Sequence, residues 1–301
     1  MSGGCPPAEA GLPTVGVCAA LACLWEATAP KPGNVYRGAD FEDLTYVDFL
    51  TSAAVVGPVL EQTRERGVGA TVLEAVQRTR AAVQTNTNLG ILLLLAPLSA
   101  VPQQETLAGG IDQVLQALTR QDAEQVFEAI RTAQPGGLGT VEDADVHDTA
   151  PVQLSLLEAM RLAAQRDLIA LQYTNKFEQV FQAADCIETT YRRDLPLSDA
   201  IVYACLRLLA DHPDSLIARK CGEPIAQDVA NQAAAVLAAG NPGQETYERA
   251  VREFDFSLRV DGHQRNPGTS ADLIAAGLFV LLRENRLDWP VRFYGNQESA
   301  E

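Results

Sequence analysis

Residues 86–98, NTNLGILLLLAPL, set two asparagines and a threonine directly against the longest apolar run of the chain, Leu89 to Leu98. The run is far short of the roughly 20 residues that a membrane-spanning helix needs, so it predicts a buried core helix with a polar start. Outward from it, apolar residues recur at helical spacing near 14–29, 45–66, 70–84, 88–100, 109–119, 122–133, 149–171, 176–190, 197–211, 213–221, 225–240, 244–260 and 269–286. No segment alternates convincingly at the two-residue period of a strand. Alanine and leucine dominate the apolar positions while aromatic residues make up only 6%, a composition that favours helix over sheet. The expected fold class is all-α.

With 301 residues and 47% hydrophobic content, the chain is near the size at which one core reaches its limit. The connections are short, with no low-complexity linker and no repeat of fixed period, which predicts one helical catalytic domain over 14–288. Residues 1–13 and 289–301 are expected to be tails. The start, MSGGCPPAEAGLP, lacks a basic region followed by an apolar core and does not read as a signal peptide. The six cysteines form no CxxC pair and mostly fall in apolar helical patterns, which points to reduced thiols and a cytoplasmic protein. A formal charge of −16 argues against nucleic acid or an anionic membrane as partner, since both need a basic field. On such a chain a polyphosphate needs Mg²⁺, or a few inward-pointing cations, to offset repulsion.

The joints between helices carry the chemistry. Residues 28–43, TAPKPGNVYRGADFED, hold Lys31 and Asn34 in a Pro-Gly turn ahead of Asp40 and Asp43; a fixed lysine suits phosphate, although Asp43 also suits a helix cap. Asn86 and Asn88 can hydrogen-bond a base, ribose or phosphate at a helix start, or Asn88 or Thr87 can simply cap it. Gly136-Gly137-Leu138-Gly139-Thr140 runs into Glu142, Asp143, Asp145, His147 and Asp148, a flexible acidic segment that could hold a hard divalent ion or could be a solvated helix start. Asp214-Ser-Leu-Ile-Ala-Arg219-Lys220-Cys-Gly222 reads as a short helix with a basic C-terminal pair, itself an ordinary stabilising choice. In Asn266-Pro-Gly268-Thr-Ser270-Ala-Asp272, Thr269 and Asp272 have capping-box spacing, while Asn266 and Ser270 crowd the same turn and could present donors to an anion. No GxxxxGK[ST], strand-linked GxGxxG, GxSxG or HExxH occurs.

Taken in order, KPGNV at 31–35, NTNLG at 86–90, DSLIARKCG at 214–222 and NPGTSADL at 266–273 resemble the motifs of the triphosphoribosyl-dephospho-CoA synthase family, over about residues 25–285. The resemblance implies a transferase: a ribose hydroxyl of 3′-dephospho-CoA attacks C1′ of the ATP ribose, adenine leaves, and the triphosphate survives on the product. It further implies that Lys31 binds phosphate, that Asn86 and Asn88 orient ribose or base, and that Arg219 and Lys220 neutralise triphosphate. Asn34, Gly137, Gly139, Asp214, Asn266, Gly268 and Ser270 join them as substrate-binding candidates. Asp40, Asp43, Asp143 and Asp145 become the catalytic and metal candidates, with Mg²⁺ as the expected ion and ATP as substrate. The segment PGGLGTVEDADVHD departs from the citrate-lyase-associated members and looks closer to an archaeal-type branch, which leaves open an acceptor alcohol on the way to a pterin-type one-carbon cofactor. Two rival readings remain at this point: a metal-dependent nucleotide hydrolase, and a helical scaffold whose Pro-Gly turns are only turns. The transferase reading requires the scattered motifs to converge on one cleft. Oligomeric state is not legible in the chain.

Overall fold

The computed structural model of the protein describes residues 13–134 and 153–295. Among these residues it is all-α, with no β structure beyond two isolated bridges, Tyr36 with Ala39 and Phe41 with Leu44. Local capping explains several helix starts. Thr14 accepts from the N–H of Val17 to begin α1 (Val15–Thr28). Reciprocal Ser/Thr-to-acid boxes begin α2 (Tyr46–Leu60), α7 (Arg120–Ala133) and α8 (Leu156–Ala163), each satisfying two otherwise unpaired N–H groups.

The two most apolar patterns form the centre. In α5 (Leu89–Ala100) and α15 (Gly268–Arg283) almost every side chain is buried, as expected of helices that are apolar all round. α15 packs against α1, α5, α10 (Glu178–Tyr191) and α11 (Leu197–Asp211). α1 and α2 cross closely through Gly16 and Gly57; a Cβ at either would lie 2.4 or 2.8 Å from the other's carbonyl oxygen. α4 (Val68–Val83) packs on α2, α5 and α7. A second, smaller apolar cluster joins α11 to α12 (Ser215–Cys221), α13 (Glu223–Ala238) and α14 (Glu245–Arg259). α11 links the two clusters, giving Ala204 and Leu208 to the larger and Val202, Leu206 and Leu209 to the smaller.

Three boundaries differ from the sequence expectation. The segment 45–66 is split into α2 and α3 (Thr63–Arg66), and the described part of 149–171 into α8 and α9 (Leu168–Asn175), because Asp167 turns inward to cap α9. Beyond 288 the chain is docked as far as Gly295: the carbonyls of Arg292 and Phe293 each accept, at 2.9 Å, from the N–H groups of Leu197 and Ser198. They serve the start of α11, whose own cap residue, Pro196, offers no side-chain acceptor. Trp25 adds ring contacts with Trp289 and Phe293 at 6.0 and 6.4 Å. Finally, α15 starts at Gly268 behind Pro267, which has no side-chain acceptor of its own, so Thr269 and Asp272 do not form the capping box that their spacing suggests.

Candidate active site

The starts of α5, α9 and α15 and the C-terminal end of α12 line one cavity of about 900 Å³, within the range of small-molecule sites. Buried caps lock these elements together. Asp214 is fully buried; its Oδ1 accepts from the N–H groups of Leu216 (2.9 Å) and Ile217 (3.2 Å) in α12, and its Oδ2 from the N–H (2.7 Å) and Oγ (2.8 Å) of Ser270 in α15. Burial pushes the Asp214 carboxyl upward against the pull of these four donors. Ser215 Oγ donates to Thr269 Oγ1 at 3.1 Å and accepts from the N–H of Leu168 at 3.2 Å, which ties in α9. Asp167 caps α9 through Oδ1, at 2.8 and 3.0 Å from the N–H groups of Ile169 and Ala170, and pairs through Oδ2 with Arg219 Nη1 at 3.1 Å.

Of the residues singled out in the sequence, Asn34, Asp43, Asn86 and Asn88 line the cavity. Arg219, Lys220, Asn266 and Gly268 line it as well, with Asp43 near His263 and Lys220. Asn86 also caps α5, its Oδ1 accepting from the N–H of Leu89 at 3.2 Å, whereas Asn88 donates to Thr79 Oγ1 at 3.3 Å and Thr87 to Ser52 Oγ at 2.6 Å. Capping thus falls to Asn86 rather than to Thr87 or Asn88. Lys220 is half-buried, and burial first, then repulsion from Arg219, lowers its proton affinity; its Nζ donates to the carbonyl of His263 at 3.2 Å. Two adjacent cations in this state gain from an incoming polyanion.

Four candidates take other roles. Lys31 is completely buried and does not reach the cavity: its ammonium lies 2.9 Å from Glu26 Oε1 and also donates to the carbonyls of Glu26 and Ala29. The lysine expected to hold phosphate instead neutralises Glu26, a nearly buried carboxylate that does line the cavity. Asp40 is exposed and accepts from the N–H of Tyr46 at 2.6 Å, at the start of α2. Asp214 and Ser270 spend their polar atoms on each other and on helix caps, which leaves neither in the cavity wall. Gly137, Gly139, Asp143 and Asp145 lie outside the described residues. Among the described residues no three His, Cys, Asp or Glu side chains gather into a metal cage.

Reading the sequence alone missed Glu26, Gly90, Arg166, His263 and Asp272, all in the cavity wall. His263 stacks on Phe41 with centroids 5.5 Å apart and lies 3.7 Å from Asp43, joining the 36–44 loop to the loop before α15. Asp272 has no hydrogen bond or ion pair with any described residue, and burial, reinforced by the charges of Glu26, Asp214 and Asp167, holds its carboxyl well above the usual range. A Cβ on Gly90 would stand 2.0 Å from Asp272 Oδ2, so the bare α-carbon makes room for the carboxylate. Both residues sit inside motifs already quoted, NTNLG and NPGTSADL; the capping-box spacing of Asp272 concealed it.

The sequence model of a family described as ATP:dephospho-CoA triphosphoribosyl transferase matches residues 13–291, which takes in every described element of the cavity. A crystal structure from Archaeoglobus fulgidus, to which triphosphoribosyl-dephospho-CoA synthase activity is ascribed, is similar with a TM-score of 0.62 at 27% identity, over 78% of this chain and 98% of that one. None of the curated proteins matches the chain. The chain therefore belongs to the ATP:dephospho-CoA triphosphoribosyl transferase family and is an enzyme that moves the triphosphoribosyl group of ATP onto dephospho-CoA, releasing adenine.

Proposed function

We propose that the cavity of about 900 Å³ is the place where this transfer occurs, with the triphosphate at the α12 side and the reacting sugars at the starts of α5 and α15. The observation that carries the reading is the pair Arg219 and Lys220 in the wall of a cavity that also receives the N-termini of α5, α9 and α15, on a chain of net charge −16. Arg166, also in the wall and without an ion-pair partner among the described residues, adds a third cation. Asn34, Asn88 and Asn266 supply amides for ribose hydroxyls or base edges. Phe127, Ile130, Met160 and Ala163, from α7 and α8, give the same cavity an apolar wall suited to the pantetheine arm of dephospho-CoA. A scaffold would leave the motif residues scattered and outward-facing, which is not their arrangement.

Mg²⁺ fits as part of the ATP complex. It needs one or two protein carboxylates besides phosphate oxygens and water, which matches single cavity carboxylates better than a cage. Of the two predicted carboxylates that are described, Asp40 and Asp43, Asp43 is the one in the cavity wall. Asp143 and Asp145, outside the described residues, stay proposals that rest on the sequence. The free cysteines among the described residues support a reducing cytoplasmic location, and no described helix is long and apolar enough to cross a membrane.

The test is to incubate the enzyme with ATP, Mg²⁺ and dephospho-CoA and to measure free adenine and product mass. Replacing Arg219 and Lys220 by Ala is expected to raise the KM for ATP by about 10–100-fold, from loss of charge-assisted hydrogen bonds. An unchanged KM in that double variant places the triphosphate elsewhere.

A further inference from the structure

We propose that Asp272 is the general base of the transfer, the group that takes the proton from the attacking ribose hydroxyl of dephospho-CoA. The proposal rests on the cavity being the active site and goes on to identify its reacting carboxylate.

The geometry singles Asp272 out among the carboxylates of the cavity. Glu26 is neutralised by Lys31 at 2.9 Å, Asp167 is occupied by two helix N–H groups and Arg219, and Asp43, near His263, and Glu223 are exposed to solvent. Of the cavity carboxylates withdrawn from solvent, Asp272 is the one with no hydrogen bond or ion pair among the described residues, and it faces the cavity from the second turn of α15. An apolar central helix that carries one unpaired carboxylate loses stability by it, since only the more distant charge of Arg219 opposes the desolvation. Gly90 makes the arrangement possible: any side chain there would meet Asp272 Oδ2, so α5 yields its α-carbon surface to the carboxylate. Asn88, two residues before Gly90, and Thr269, three before Asp272, also line the wall and can hold a ribose there.

The chemistry asks for such a group. The hydroxyl oxygen forms the new bond to C1′ of the ATP ribose as its proton passes to Asp272; the C1′–N bond breaks with its electron pair leaving on adenine, which takes a proton from water. Asp272 then returns its proton to solvent. A base works best when its proton affinity lies near the working pH, and the upward push on Asp272 is in that direction. The groups facing it are Glu26 and Cys23 of α1, Lys31 behind Glu26, Asp167 ahead of α9, and Asp214 and Arg219 of the α12 segment.

The experiment compares Asp272→Asn, Asp272→Glu and Gly90→Ala with the natural enzyme in adenine release, ATP binding by calorimetry, and thermal melting. For Asp272→Asn the expected result is a loss of about 100–10,000-fold in kcat, the usual contribution of a general base, with ATP affinity unchanged or improved because a negative charge has gone. The acid limb of kcat/KM, expected in the natural enzyme above the ordinary carboxylate range, should vanish in this variant. Because the folded-state affinity for the proton is raised, Asp272 adds stability only when protonated, and this is lost as pH rises through its folded value; the Asn variant should therefore melt at least as high as the natural enzyme at neutral pH. Asp272→Glu should recover at least tenfold over Asn, and Gly90→Ala should lower kcat while leaving ATP binding intact; these two carry the test if the Asn variant does not fold. Activity within threefold of the natural enzyme in Asp272→Asn, or an ATP affinity that falls in step with kcat, overturns the assignment. If Asp272→Asn stays active while the Arg219 and Lys220 variant loses ATP affinity, the base is wrong and the cavity right; if neither change matters, the cavity itself is wrong.

Discussion

At the scale of the residue, Lys31 shows how a motif can be real and its chemistry misread. The turn KPGNV does place Lys31 beside the candidate cavity, but the side chain points inward and pairs with Glu26 at 2.9 Å. Fully buried ions are stable only with their partner, and removing one leaves the other uncompensated. Lys31→Met is therefore expected to lose about 3–5 kcal/mol in urea denaturation. A phosphate-binding lysine would behave differently, raising the KM for ATP and leaving the fold almost untouched. Glu26 keeps its place in the cavity wall only because that lysine stands behind it.

At the scale of the element, the candidate site depends on how the starts of α9, α12 and α15 are tied together. Asp214 is one side chain that caps two helices, α12 through Oδ1 and α15 through Oδ2. It thereby fixes the cations at the far end of α12 against Asp272 in α15. Asp214→Ala removes two caps, each worth about 0.5–2 kcal/mol, and is expected to cost about 1–4 kcal/mol of stability, read by chemical denaturation. Activity should fall even at temperatures where the variant remains folded, because the two halves of the site lose their common anchor. A variant with full stability and low ATP affinity would instead show that Asp214 meets the substrate directly.

At the scale of the whole molecule, a net charge of −16 makes ATP an unwelcome ligand unless its charge is offset locally. The cavity offers Arg80, Arg166, Arg219 and Lys220, but it also contains Glu26, Asp43, Asp167, Glu223 and Asp272. Magnesium carried on the triphosphate changes the sign of the nearest carboxylate contacts. With Mg²⁺ present, ATP at 100 times its Kd is expected to stabilise the fold by about 2.7 kcal/mol. The same nucleotide concentration with EDTA should give a much smaller rise in melting temperature. An equal rise in both conditions would show that the protein's own cations suffice and that no carboxylate meets the metal.

The sequence by itself determined the helical class, because apolar spacing near 3.6 residues is a property of each segment and needs no partner to be read. It also determined the family, through four joints whose residue types and order are local facts: KPGNV, NTNLG, DSLIARKCG and NPGTSADL. Of the candidate site it gave the region rather than the roles. Asn34, Asn86, Asn88, Arg219, Lys220 and Asn266 do share one cavity, since polar residues at helix ends collect where those ends meet. Which way each side chain turns is another matter, because it depends on neighbours far away in sequence. Asp214 needs Ser270 of α15 to become a double cap, and Asp272 needs the bare α-carbon of Gly90 to reach the cavity. The docked end from Trp289 to Gly295 likewise depends on the open start of α11 and on Trp25. Only the packing of α1, α5, α9, α12 and α15 decided which carboxylates are neutralised and which one stays free, since pairing and desolvation are set by distance in space and not by spacing along the chain.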